Sequence, residues 1–312
     1  MHYKMHFKDK IVFCNCDDPT WSAFWKYFHL NFAELGLKKL ISTHYDREEA
    51  TYKMEYTGGD DNDIEAGIKT PLEGNGDFRN QECLDLLDEC DIVVTNPPFS
   101  EYRSYVATLI EHDKKFIIWG NNNSITYKEI FPLLKNNKMW LGYTANKTLT
   151  FRIPDYYEKW DEKETAKMND GHHYAKVPAI SVFTNLDIAK RHEKLILWKQ
   201  YTPEEYPKYD NYDAINVDKV SEIPVDYDGV MGVPITFMDS FNPNQFEILG
   251  YSQGDLFIEC GGKPCSKKFV DDYYAYGGKG QVREGWKHIV MYLNGLPKVP
   301  YGRIFIRKKA GV

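Results

Sequence analysis

A chain of 312 residues has room for two domains of ordinary size, or for one large α/β domain with an appendage. Hydrophobic residues make up 42% and aromatic residues 15%, which excludes wholesale disorder, and no apolar run approaches the ~20 residues of a membrane span. The net charge of −7 argues at first against a nucleic-acid partner, because phosphates reward basic surfaces; yet residues 261–312 carry +8 and residues 1–260 carry −15. The six cysteines form neither a disulfide framework nor a zinc pair, so reduced thiols, no bound metal and a cytoplasmic location are expected.

In chain order, Lys10 to Cys14 reads as a short buried strand ending in the polar turn Asn15 to Asp18. Pro19 and Thr20 then open a helix whose apolar positions Trp21, Phe24, Trp25, Phe28 and Phe32 recur at helical spacing, and Gly36 closes it. Lys38 to Thr43 is a second strand, and Tyr52 to Lys69 reads as a hairpin around Gly58, Gly59, Asp60 and Asp61. A turn at Gly76 to Phe78, a helix through Leu84, Leu86 and Leu87, and the strand Asp91 to Thr95 follow. Tyr102 to His112 is helical, and Lys115 to Trp119 is another apolar strand. This alternation predicts an α/β, doubly wound, mostly parallel sheet. From Met139 the runs MWLGYT, TLTFRIP and AISVFTNL fit antiparallel strands added at a sheet edge, and beyond Leu186 the periodicity is too weak to assign elements.

The residues that carry chemistry are Asn96, Pro97, Pro98 and Phe99, placed directly after a buried strand where open α/β sheets bind ligands. Such a loop suits methylation of an amino group conjugated to a ring, whose delocalised lone pair is a poor nucleophile. The Asn side-chain oxygen and the next carbonyl can both accept from that NH2 and favour a tetrahedral nitrogen as the transition state develops. Pro97 fixes its own φ and restricts Asn96 to extended geometry, while Phe99 offers a face on which a planar base can stack.

At these residues the chain resembles the amino-methyltransferases that use S-adenosylmethionine, with their (D/N/S)PP(Y/F/W) motif, and among them the EcoRI-type adenine-specific DNA methyltransferases. The resemblance rests on FCNCDDP at Phe13 to Pro19, the following WSAFWKYF and LGLKKL, GDF at Gly76 to Phe78, and TNPPFS at Thr95 to Ser100. It extends to ITFMDSFNPNQFEILG at Ile235 to Gly250 and YGRIFIRKK at Tyr301 to Lys309. It implies a Rossmann-like methyltransferase sheet with antiparallel edge strands, a catalytic domain over residues 1–186, and a C-terminal α+β DNA-recognition region over residues 187–312. It also implies S-adenosylmethionine as cofactor and base flipping before methyl transfer to adenine N6 in double-stranded DNA.

Cofactor-binding candidates are Asn15, Cys16, Asp17, Asp18 and Pro19, which stand where most methyltransferases have a glycine-rich turn, together with Asp46, Asp77, Phe78 and Asn96. In similar enzymes the residue at Asp77 accepts from the cofactor's adenine amino group and the aromatic at Phe78 packs on its ring. Asp17 or Asp18 can hold the cofactor's ammonium or cap the helix; Asp46 can bind ribose hydroxyls or sit in a plain loop. A monomer is expected, with a cognate restriction endonuclease as a further partner. Guanine N2 in RNA and a protein glutamine are alternative methyl acceptors for the same fold, and a catalytically idle DNA-binding relative is a third reading.

The basic residues Lys267, Lys268, Arg283, Lys287, Arg303, Arg307, Lys308 and Lys309 are the DNA-binding candidates, since they interleave with Tyr, Trp and Phe. Within YGRIFIRKK, Ile304 and Ile306 are expected to pack inward while Arg303, Arg307, Lys308 and Lys309 face phosphate. The adjacent His172 and His173 do not have the spacing of a metal pair, and Asn121 to Asn123 can line the cofactor pocket or make a turn, the second being favoured.

Overall fold

A computed structural model describes residues 2–154, 165–167 and 171–310. The chain divides into two compact units, Met1–Ile125 with Met139–Ile188, and Thr126–Lys138 with Ala189–Val312. The first is built on an eight-stranded sheet. Its centre is four parallel strands, β1 (Ile11–Cys14), β2 (Lys39–Thr43), β5 (Ile92–Thr95) and β6 (Lys115–Asn121), in the order β2-β1-β5-β6. Every residue of β1 and β5 is buried, which is why these strands read as continuous apolar runs rather than as alternating ones.

Between β1 and β2 lie α1 (Ala23–Leu30) and α2 (Phe32–Leu35). The single long helix expected from Pro19 to Phe32 is therefore replaced by two shorter ones. The hydroxyl of Ser22 accepts from the backbone N–H groups of Phe24 and Trp25 and starts α1 there, leaving Trp21 67% exposed ahead of it. At the other end the Asn31 amide donates to the Tyr27 carbonyl at 2.7 Å, ending α1, and Gly36 caps α2 in the left-handed region. Trp25, Phe28, Phe32 and Leu35 pack against Val12, Cys14, Leu40, Ile92 and Val94 on one sheet face. Because side chains alternate, Phe13 and Val93 point to the other face, where α3 (Gln81–Glu89) packs on β1 and α4 (Tyr102–Glu111) on β6. The sheet is thus covered on both faces, and the chain reverses its direction of travel between β1 and β5.

The flanks are antiparallel. The hairpin of β3 (Tyr52–Tyr56) and β4 (Ile68–Pro71) extends the sheet beyond β2, with Tyr52 opposite Pro71. Beyond β6 come β11 (Ile180–Thr184) and the two-residue edge strand β7 (Trp140–Leu141). The TLTFRIP run departs from expectation: β8 (Leu149–Arg152) joins β9 (Thr165–Lys167) and β10 (His173–Val177) in a separate three-stranded sheet. Exposed residues on β8 gave it no burial pattern from which its sheet could be assigned.

The second unit is α+β. Its sheet runs β12 (Ile215–Asn216), β13 (Met231–Pro234), β17 (Arg303–Lys308), β14 (Phe246–Tyr251), with a further hairpin of β15 (Met291–Leu293) and β16 (Leu296–Lys298). It also holds α5 (Phe131–Lys135), α6 (Gly254–Glu259) and α7 (Lys267–Ala275). Strand β17 is interior, between β13 and β14, and buries Ile304, Phe305 and Ile306 in succession. The FNPNQFEILG stretch is a clasp as well as a strand. The Gln245 amide accepts from the Leu195 N–H and donates to its carbonyl, both at 2.8 Å, while the Asn242 amide donates to the Glu193 carbonyl at 3.1 Å. No helix among the described residues is long and apolar enough to cross a membrane.

Candidate active site

The site lies at the carboxyl ends of β1 and β5, where strand order reverses and an open α/β sheet leaves a crevice. Three segments meet there: the turn Asn15 to Pro19 after β1, the turn Gly76 to Phe78, and the loop Asn96 to Phe99 after β5.

Thr95, the last residue of β5, joins the first segment to the third. Its hydroxyl lies 2.7 Å from the Asn15 carbonyl and 2.6 Å from Oδ2 of Asp17. The Asp17 carboxylate also accepts from the Asn96 backbone N–H and from the Ser22 hydroxyl at 3.4 Å, so the first residue of the NPPF loop hangs from the turn after β1. Burial pushes Asp17 up to about 6 from its ordinary 3.8, and the hydrogen bonds from Thr95, Ser22 and Asn96 hold it from rising further. Asn15 is fixed from the other side, its side-chain oxygen accepting from the Thr43 hydroxyl at 3.1 Å, while that hydroxyl accepts from the Cys16 N–H at 3.1 Å. Cys16 adopts φ 58°, the left-handed conformation that lets a turn without glycine close this tightly. Burial pushes its thiol up to about 12, which removes it from consideration as a nucleophile.

The GDF turn docks on the end of β2. Gly76 has φ 74°, and a Cβ there would stand 2.2 Å from the His44 carbonyl oxygen. Cys16 reaches this turn, its sulfur 4.0 Å from the Gly76 carbonyl. Both Asp77 carboxylate oxygens are held by the Arg79 guanidinium, at 2.8 and 2.7 Å, which keeps Asp77 below the usual carboxylate range. Arg79 also reaches Glu101 at 3.3 Å, bracing the GDF turn against the chain just after NPPF. Phe78 is buried, edge-on to Tyr105 of α4 with ring centroids 4.9 Å apart.

The NPPF loop turns part of its surface to solvent. Asn96 and Phe99 are exposed, Pro97 is buried, and Pro98 sits at φ −54°, ψ 130°, an extended conformation that carries the chain into α4. The Asn96 amide has no hydrogen-bond partner among the described residues, so its oxygen is an unpaired acceptor.

The other candidates have prior commitments. Asp18 is pushed up by partial burial, yet bonds from the Thr20 N–H and hydroxyl and from the Tyr52 hydroxyl bring it below its ordinary value. Asp46 closes a local turn through the Glu48 and Glu49 N–H groups at 2.7 and 2.9 Å, and these hold it low. Beside Pro19 and Thr20 an open cavity of about 270 Å³ is lined by Tyr52, Met54, Ile64, Glu65 and Lys69. Sequence reasoning missed Thr95, Arg79, Tyr105 and His44. Thr95 and Arg79 adjoin the motifs and were open to suspicion; Tyr105 and His44 left no local signal.

The model of the family described as adenine-specific methyltransferase EcoRI matches residues 1–309. The chain belongs to this family. It is 46% identical over 268 residues to the type II methyltransferase M.EcoRI of Escherichia coli, covering 81% of this chain and 82% of that protein. Against M.MpnI of Mycoplasma pneumoniae, also a type II methyltransferase, identity is 41% over 250 residues, covering 79% of this chain and 76% of the relative. M.MgeORF184P of Mycoplasma genitalium is 40% identical over 254 residues, with 80% and 78% covered. Comparison with solved structures gave no significant match.

The basic candidates lie in the second unit and differ in exposure. Arg303, expected on the phosphate side, is only 9% exposed and donates from Nε to the Asn216 side-chain oxygen at 3.2 Å. Lys308 turns its ammonium onto the Val225 carbonyl, with Asp228 at 3.6 Å, and its side chain is 7% exposed. Both cations are taken up inside the unit, Arg303 by the end of β12 and Lys308 by the segment at Val225 and Asp228. Arg307 and Lys309 remain exposed, the former 3.5 Å from Glu247.

Proposed function

We propose that this chain is a DNA methyltransferase that moves a methyl group from S-adenosylmethionine to N6 of adenine in duplex DNA, after the base has left the helix. The observation that carries the reading is the Asn96 to Phe99 loop, tied by Asp17 and Thr95 to the turn after β1, with the Asn96 amide and the Phe99 ring open to solvent.

The residues present suit the cofactor. Nδ1 of His44, one residue beyond β2, is buried with no hydrogen-bond partner, and is therefore a polar atom left available at the edge of the site. Asn15 to Pro19, Asp46, Asp77 and Phe78 would hold the cofactor, and its sulfonium supplies an electrophilic methyl group. Oδ2 of Asp77 accepts only from the Arg79 guanidinium and keeps a lone pair with which to accept from an adenine amino group.

On the substrate side, the flipped adenine stacks on Phe99 and directs its N6 amino group at Asn96. The Asn96 oxygen and the Pro97 carbonyl accept its two hydrogens, which localises the nitrogen lone pair for attack. Because Asp17 fixes the Asn96 backbone, the loop that carries these acceptors is in place before the base arrives. The second unit, over most of residues 189–312, takes the role of target recognition. Tritium-labelled cofactor offered with separate DNA, RNA and protein pools tests the reading: label on DNA supports it, and label on RNA or protein alone overturns it.

A further inference from the structure

Five of the basic side chains of the second unit are already engaged. Lys267 and Lys268 pair along α7 with Asp271 and Asp272 at 2.7 and 3.1 Å, and Lys287 pairs with Asp255 at 2.6 Å. With Arg303 and Lys308 turned inward, these five cations add little net positive field at the surface. Lys279 and Arg283 are exposed, and their side chains have no partner among the described residues, which is also true of Lys263, Lys298 and Lys309 elsewhere in the unit. Lys279 and Arg283 share one loop, residues 276–285, reading YGGKGQVREG.

This loop is held in shape without using its polar side chains. Val282 is 6% exposed and packs in a cluster with Cys265, Phe269 and Val290. The Tyr273 hydroxyl donates to the Lys279 carbonyl at 2.7 Å, and the Tyr274 hydroxyl lies 3.0 Å from the Gly280 carbonyl and 2.8 Å from that of Val282. At its base, Cys265 N–H donates to the Trp286 carbonyl and Gly285 N–H to the Cys265 carbonyl, at 2.8 and 2.9 Å. Gly277, Gly280 and Gly285 take φ values of 78°, 115° and 76°, and a Cβ on any of them would meet nothing within 4 Å. These glycines therefore serve the backbone path, and the space around them is open. Exposed on this preset backbone are Tyr276, Lys279, Gln281 and Arg283; the one acid in the loop, Glu284, interacts with Lys267 on α7.

We infer that residues 276–285 are the segment of the second unit that grips duplex DNA, with Lys279 and Arg283 on phosphates and with Gln281 and Tyr276 turned to the bases. The inference rests on the reading of the protein as a DNA methyltransferase. Two free cations on a preordered loop release counterions on contact with a phosphate backbone and lose little conformational freedom. A Gln side chain carries the donor and acceptor pair that matches the N6 and N7 edge of adenine, and a Tyr ring can stack.

The test is fluorescence anisotropy of the full chain with a labelled duplex between about 50 and 200 mM salt, a range over which each phosphate contact contributes roughly 0.9 to the slope of log affinity against log salt. The double variant Lys279→Gln, Arg283→Gln should bind at least about tenfold more weakly at low salt and lose nearly 2 from that slope. Tyr274→Phe, which frees the loop but keeps its charges, should weaken binding and leave the slope unchanged. Lys267→Gln with Lys268→Gln should change the slope little. An unchanged slope in the loop variant, beside a steep one in the wild type, overturns the loop's role and leaves the methyltransferase reading standing. A wild type that shows no binding to duplex DNA overturns both.

Discussion

Replacing Asp17 with Asn should flatten the pH dependence of stability that this carboxylate imposes. In the folded protein Asp17 titrates at about 6, above its ordinary 3.8, because it is buried. A carboxyl whose folded value is raised contributes its full stability below the unfolded value and loses it as pH rises through the folded value. The total is about 3 kcal/mol, roughly 1 of which falls between about pH 5 and pH 7. Burial is the cause, and the bonds from Thr95, Ser22 and Asn96 to the carboxylate limit the rise; the local geometry also accommodates the neutral form. One Thr95 hydroxyl hydrogen faces two acceptors, the Asn15 carbonyl and Asp17. A protonated Asp17 can donate to Thr95 while Thr95 donates to Asn15, so that both short contacts are satisfied; an ionised Asp17 competes with Asn15 for the single hydrogen. An Asn amide reproduces the neutral arrangement at every pH. Urea unfolding of both proteins from about pH 4 to pH 7.5, followed by tryptophan fluorescence, gives the difference in which all other titrating groups cancel. Identical pH profiles for wild type and Asp17→Asn would refute the argument.

Three further substitutions probe the stitching and the surface. Gly76→Ala puts a Cβ against the His44 carbonyl at a φ of 74°, and should cost more than about 2 kcal/mol, read as a lower urea midpoint. Lys308→Gln should lower stability by about 1 kcal/mol, because it leaves the Val225 carbonyl unmatched, without changing the salt slope of DNA binding. Asp77→Ala should weaken S-adenosylhomocysteine by about tenfold in isothermal titration, since an acceptor for its adenine amino group is lost.

The sequence was most legible where burial on both faces left unbroken apolar runs. Strands β1 and β5 are such runs, and their ends mark the candidate site. It was least legible where polar side chains hold backbone. Ser22 starts α1 three residues past Pro19, and Asn31 ends it before Phe32, though the apolar spacing runs straight through both. The basic run of β17 misled for a related reason. Charge alone pointed Arg303 and Lys308 outward, but Asn216 of β12 and the Val225 carbonyl, both distant in sequence, receive those cations. The partners of Asp17 come from Ser22, Thr95 and Asn96, and only folding brings them together.

The most direct measurement is nucleoside analysis of duplex DNA after incubation with the protein and S-adenosylmethionine, for the wild type and for Asn96→Ala. N6-methyladenine is the expected product, and Asn96→Ala should slow turnover by at least about 100-fold while weakening S-adenosylhomocysteine far less, since the lost acceptor acts on the transition state. Methylation of another base, or wild-type turnover by Asn96→Ala, would contradict the account.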